Sequence, residues 1–359
     1  MKQDSETYLI SLFMKCCIYV LLFMLAIAPL NTDAQSQNES WLDRSYQWFN
    51  NTFNTYDSTY VQKLPFKYMV GTRSSNWLDA YNLEFEDNEA IALQSDLEYN
   101  VGLSLGYRIL SFNYNFNVAN FGSGKGLRNR QLNVLLNTNS IVGEFNYMKS
   151  DGEVNVVSYR NEDDEESLDQ KFDGLRTTTY GADLYYYFNK KKYSNAAAYS
   201  VSYRNKQIKS AGSFIVGLSY AHQYTFLDIA RLSTETDLDT VGNAQELNVR
   251  YNTVSLSAGY GYSFVFAKQW LLNFTGIPSV GIKFYESDND EDVQSDGRLD
   301  LGHKLRMALV YNREKFFASL GINNTTDWYF TENYTMTNSL TIVNLSVGLK
   351  LYSIQNVKK

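Results

Sequence analysis

The chain runs to 359 residues with a formal net charge of −7, 15% aromatic residues and 29 tyrosines, but only three prolines. An acidic chain of this kind is a poor partner for nucleic acid. Abundant aromatics with so little proline favour long strands over a compact mixed domain.

From the N-terminus, a polar start holding Lys2 and Lys15 precedes the apolar run "CCIYVLLFMLAIAPL", and Thr32 and Ala34 then occupy the small-residue positions before Gln35. This is the pattern of a cleaved signal peptide over residues 1–34, since the run is short for a bilayer-spanning helix. Lys2 and Lys15 leave with Asp4, Glu6 and Asp33, so the mature charge becomes −6. Cys16 and Cys17 leave too, and the mature chain is expected to hold no disulfide, no cysteine metal site and no lipid-bearing cysteine.

Residues 35–62 form the next segment. In "ESWLDRSYQWFNNTFNTYDSTY", Leu42, Tyr46, Phe49, Phe53, Tyr56 and Tyr60 recur at steps of four and three. That spacing predicts an apolar stripe on one helical face. A helix at a periplasmic mouth is the first expectation, and a plug inside a lumen is the alternative.

From residue 63 to 354 the period changes to two. In "LEYNVGLSLGYRI", Leu97, Tyr99, Val101, Leu103, Leu105, Tyr107 and Ile109 alternate with polar or small residues, and "SFNYNFNV" and "TVSLSAGYGYSFVF" repeat the pattern. A soluble sandwich would bury the apolar set, whereas a membrane barrel turns it to lipid. Segment length favours the second, because a tilted spanning strand needs about 9 to 11 residues. The expectation is an all-β fold, an antiparallel transmembrane β-barrel with the seven residues above facing lipid.

Twelve strands are expected, at 65–76, 95–109, 111–119, 128–138, 140–150, 176–189, 210–224, 249–266, 269–285, 300–312, 315–328 and 338–352, followed by a tail at 355–359. Their connections alternate between short and long, as inner turns and outer loops of such barrels do. The stretch "NKKKYSNAAAYSVSYRNKQIKS" breaks that rule by being long where a turn is due. It is either a further strand pair, giving fourteen, or a segment folded into the lumen or the periplasm.

The stretches "YDSTYVQKLPFKYMV", "YYYFNKKKYSNAAAYS" and "KSAGSFIVGLSY" resemble an uncharacterised family of Bacteroidota outer-membrane barrels, a domain of unknown function, over residues 56 to 352. The resemblance implies an outer-membrane location and a barrel fold, and no activity.

With the apolar set outward, the inward set includes Lys67 and Arg73 on the first strand, Arg108 on the second, Lys283 on the ninth, Lys304 and Arg306 on the tenth and Lys350 on the twelfth. Glu144 and Asp183 on the fifth and sixth lie roughly opposite, which predicts a basic arc and a transverse field across a bore. The bland alternative is that these charges pair across a closed lumen. Trp77, Trp328 and Trp270 fit an interfacial girdle. His222 and His303 have no serine at nucleophile spacing, so no enzyme, metal site or cofactor is expected, and the acidic runs 162–167 and 287–292 read as solvated loops. The expected role is passive or gated passage of a small, anionic solute. A closed barrel serving adhesion or recognition through its loops is the runner-up, and a lipid hydrolase or acyltransferase comes last. Expected partners are membrane lipid and lipopolysaccharide, the barrel-insertion machinery and a small solute.

Overall fold

The computed structural model describes residues 41–85, 90–117, 129–151, 154–161, 164–172, 174–200, 203–228, 247–286, 298–330 and 334–353. The chain divides into two compact units, Met1–Thr55 and Tyr56–Lys359. In the first, helix α1 (Trp41–Phe53) is shorter than its apolar stripe, and Tyr56 and Tyr60 fall beyond it. Asp57 Oδ1 accepts from Thr59 N and Thr59 Oγ1 at 2.9 and 2.8 Å, a local turn that takes the backbone out of helix.

The second unit is a closed antiparallel barrel of twelve strands. In chain order these are β2 (Phe66–Phe85), β4 (Glu98–Tyr107), β5 (Leu110–Asn117), β6 (Arg130–Asn137), β7 (Ile141–Asp151), β10 (Leu175–Tyr187), β12 (Ala211–Leu227), β13 (Leu247–Ala267), β14 (Trp270–Glu286), β15 (Arg298–Asn312), β16 (Phe316–Phe330) and β17 (Tyr334–Ser353). Closure comes from β17 pairing with β2 along a register from Tyr334↔Phe85 to Ser353↔Phe66. Three-residue β1 (Val61–Lys63) and β11 (Asn205–Gln207) pair with each other in a separate two-stranded sheet.

The barrel is built inside out. Along β4 the outward Tyr99 and Leu103 are 59% and 60% exposed, while the inward Asn100 and Ser104 between them are 0% and 1% exposed. The same holds round the ring, where Phe214, Leu256, Val280, Leu305 and Leu345 stand exposed on the outer surface. Period-two sequence makes this possible, since each strand sends alternate side chains to opposite faces.

Three features differ from the sequence expectation. The second strand is split, because Ala80 pairs with Gln94 in β3 (Ala90–Ser95) while Trp77 pairs with Glu98, leaving one extra residue as a β-bulge at 95–97. It also ends early: Arg108 and Ile109 form the tight turn to β5, with Arg108 in the left-handed region at φ 53°. Ile109 is therefore a half-buried turn residue and not part of the outward row. Finally, the connection after β7 carries a hairpin, β8 (Val154–Asn161) and β9 (Asp164–Phe172), whose β8 adds to β3 and extends the wall at the long-loop end. The backbone of 164–167 from the first acidic run lies in β9, and the second run, 287–292, lies outside the described residues.

Close packing of the inner faces is set by glycine at few positions. A Cβ on Gly102 would stand 2.1 Å from Asn115 Oδ1 and 2.2 Å from the Tyr114 carbonyl oxygen, whereas one on Gly143 would meet only Leu136 Cβ at 3.8 Å. Gly102→Ala is expected to cost about 1 to 3 kcal/mol by overpacking and Gly143→Ala close to nothing; urea titration of the refolded barrel, followed by tryptophan fluorescence, checks the difference.

Candidate functional site

The site is the lumen, and its floor comes from the connection that broke the length rule. The described residues of this connection, 190–200 and 203–210, do not add a strand pair to the wall. They fold back inside the ring at the short-turn end, where helix α2 (Ala196–Tyr199) buries Ala196, Ala197 and Ala198 to 4% exposure or less. Small side chains let this turn sit against the inward faces of Leu271, Ala308 and Val310.

The plug is held by polar contacts. Ser194 Oγ donates to Asn139 Oδ1 at 3.1 Å, and Asn205 Nδ2 donates to the same oxygen at 2.8 Å. Tyr199 Oη donates to Asn273 Oδ1 at 2.7 Å, and Asn273 Nδ2 donates to Tyr193 Oη at 3.0 Å. The Tyr193 ring stacks on Tyr187 with centroids 5.6 Å apart, and Tyr203 packs on Phe317 at 4.5 Å. The plug is also sewn to the chain that leads into β2: Val61 faces Gln207 across the β1–β11 pair, and Ile208 N donates to Tyr60 O at 2.7 Å.

Above the plug lies a chamber of about 310 Å³. Its wall brings together Arg73, Lys283, Lys304 and Arg306, but also Asp79, Glu144, Asp183, Asp300 and Asp327, so the lumen is charge-balanced and not a basic arc. Lys304 Nζ donates to Asp183 Oδ2 at 2.8 Å and to Tyr185 Oη at 2.9 Å. Arg306 Nη1 donates to Glu144 Oε1 at 2.7 Å, and the guanidinium lies over the Tyr199 ring at 4.1 Å. These two bridges span from β15 to β10 and β7 and cross the bore. Lys283 Nζ is 2.9 Å from Asp300 Oδ1, an ion pair whose angle falls short of a hydrogen bond, and sits 4.9 Å from the Tyr329 ring centre. Arg73 Nε donates to Asn344 Oδ1 at 3.0 Å.

The remaining expected lumen residues lie elsewhere. Arg108 is in the β4–β5 turn, with its guanidinium 5.3 Å from the Tyr107 ring centre. Lys350 is at the short-turn end, where its Nζ donates to Asn312 Oδ1 and, at 2.7 Å, to Arg313 O. The Lys67 side chain lies outside the described residues. Of the outward row, Leu97, Tyr99, Val101, Leu103, Leu105 and Tyr107 are all exposed. Trp77 is a correction: it points into the lumen and is fully buried, while Trp270 is exposed and Trp328 stands 5.3 Å from His303, ring centre to ring centre. Both histidines are on the outward face beside an asparagine of the next strand, His222 Nδ1 at 2.9 Å from Asn252 Oδ1 and His303 Nε2 at 3.2 Å from Asn324 Oδ1.

At the long-loop end a second obstruction forms. Tyr81, Leu93, Val156, Leu175, Tyr251, Tyr329 and Met336 join one buried apolar cluster, drawn from the wall and from the β8–β9 hairpin. Sequence reasoning missed this lid, Asp300 and Tyr199; the one signal for Tyr199 was the "NAAAYS" stretch in the overlong connection. Leaving either half of a buried bridge alone is costly. Glu144→Leu is expected to lose about 3 to 5 kcal/mol, and the double change with Arg306→Met to recover most of it; a double-mutant cycle on urea midpoints measures both.

A family model described as "Domain of unknown function (DUF4421)" matches residues 55–351. Among curated proteins none matches. Solved structures that resemble the chain include the outer membrane protease OmpT from Escherichia coli, at 7% identity and TM-score 0.34, covering 81% of this chain and 98% of that one. The toluene transporter TodX of P. putida follows at 5% and 0.26, covering 80% and 90%. The beta domain of the Bordetella autotransporter BrkA stands at 9% and 0.28, covering 79% and 99%. Likenesses this remote carry no argument, and the barrel rests on its own strand pairing.

Proposed function

Since the chain belongs to the DUF4421 family, a domain of unknown function, its role has to be sought in its own geometry, and we propose that it is an integral outer-membrane barrel serving as a gated conduit for a small polar solute. The exposed apolar belt supports the membrane part: a continuous outer surface of leucine, valine and aromatic side chains is intolerable in water and natural in lipid. With the expected signal peptide, the setting is the outer membrane of a Gram-negative, Bacteroidota-type cell, and the partners are lipid, lipopolysaccharide and the insertion machinery.

One observation carries the conduit reading. A charged chamber of about 310 Å³ stands over a plug that is not a wall strand and whose polar contacts to the wall are amide and hydroxyl hydrogen bonds, which water can replace. The resting state is closed, since the plug fills one end and two ion pairs cross the bore. Charge balance removes the reason for anion preference, so the solute is polar without a preferred sign. The tie between β1 and β11 gives the N-terminal segment a grip on the plug.

Two measurements test this. In planar bilayers the refolded mature chain is expected to be silent, and a variant with 194–206 replaced by a short glycine-serine turn and the β8–β9 hairpin of the lid removed as well is expected to show steady steps without anion preference. Silence of the folded variant would sink the conduit and favour the closed, loop-acting barrel. For the membrane face, Leu256→Arg is expected to cost about 2 to 4 kcal/mol on folding into vesicles and the chamber-lining Ser255→Arg far less; gel-shift assays of folded fraction separate them.

A further inference from the structure

Among the described residues, Arg204, Lys206 and Lys350 come together at the short-turn mouth with no carboxylate within ion-pair distance. Arg204 in the plug is only 8% exposed, and its Nε has no hydrogen-bond partner. Its backbone is fixed, because Leu64 N donates to Arg204 O at 2.6 Å and the β1–β11 pair sets Lys63 opposite Asn205 and Gln62 opposite Lys206. Lys206 lies against the inward Leu271, Val310 and Asn312, so it too is inside the ring. Lys350 reaches the same mouth and rests on the neutral acceptors Asn312 Oδ1 and Arg313 O. Asn312 Nδ2 in turn donates to Tyr203 O at 3.2 Å, tying that wall to the plug.

We propose that this mouth is a binding site for a free phosphate-type oxyanion, with Arg204 as the bidentate donor and Lys206, Lys63 and Lys350 as surrounding charges. A buried guanidinium without a partner is costly, and chains keep one where a ligand completes it. The fork of Arg matches two oxygens of phosphate, and lysines add point charges at looser geometry. Glu314 acts on Lys206. Lys63 is pulled down to about 8 by burial and by the charge of Arg204, so like charges are held close at this mouth. Nonionic detergent carries no phosphate headgroup, so binding of a free oxyanion in it is read apart from lipid. The site belongs to the plugged state, so it does not depend on the conduit reading.

The test is calorimetric titration of inorganic pyrophosphate, at constant ionic strength and pH 7, into the refolded mature chain in nonionic detergent. One-site saturable binding at about 1 mM or tighter is expected. Arg204→Gln and Lys206→Gln should each weaken it about tenfold or more, with Lys268→Gln, in the β13–β14 turn, unchanged. Heat-dependent gel mobility verifies folding of each variant, and if Arg204→Gln does not fold, Lys206→Gln decides alone. Absence of saturable binding by folded wild-type chain overturns the site. So does equal binding by wild type and Lys206→Gln, or equal loss in Lys268→Gln.

Discussion

A ring of strands that turns its apolar side chains outward leaves its polar ones nowhere to go but the lumen, and there each donor and charge must find a partner. The rest of the structure follows from that demand. On the β4–β7 wall it is met by a relay of short side chains, Ser104 Oγ to Asn113 Oδ1, Asn113 Nδ2 to Asn133 Oδ1, and Asn133 Nδ2 to Asn146 Oδ1, at 2.7, 3.1 and 2.6 Å. Across the bore, where short side chains cannot reach, it is met by Arg306 with Glu144 and Lys304 with Asp183.

The plug answers the same demand at the short-turn end. An empty mouth there would leave Asn139 and Asn273 facing water; the inserted segment supplies Ser194, Tyr199 and Asn205 to meet them. Its middle is alanine because the inward wall at that level is apolar, with Leu271, Ala308 and Val310, and a larger helix would not fit against it. The plug is thus polar at its edges and apolar at its centre, a pattern that neither a solvated loop nor a wall strand would need.

Charge placement then separates two zones. In the chamber, cations and carboxylates are matched closely enough that a permeating solute would feel little net field. At the mouth, Arg204, Lys206 and Lys350 lack such partners, so the local field is positive and reaches into the aqueous phase. A barrel of small net charge can in this way keep a neutral bore and still present one electropositive end.

The alternation of Leu97 to Tyr107, and of eleven segments like it, together with their length, pointed by itself to an antiparallel membrane barrel, because a period of two fixes which face every side chain takes before any neighbour is known. Strand bounds such as 300–312 and 315–328, which the structure sets at 298–312 and 316–330, were legible for the same reason, as was the inward direction of Lys304, Arg306, Glu144 and Asp183. Partners across the bore were not. Which cation meets which carboxylate depends on strand stagger and barrel width, which no local pattern encodes, and so the balanced lumen looked like a basic arc. The sequence marked residues 190–210 as too long for a turn and could go no further, since a buried segment and a solvated one differ only in what surrounds them. Trp77 shares the parity of the inward Arg73, so its facing too was written in the alternation, but only the tertiary structure placed Tyr199 under Arg306 and left Arg204 Nε without a hydrogen-bond partner, because both depend on segments far apart in the chain.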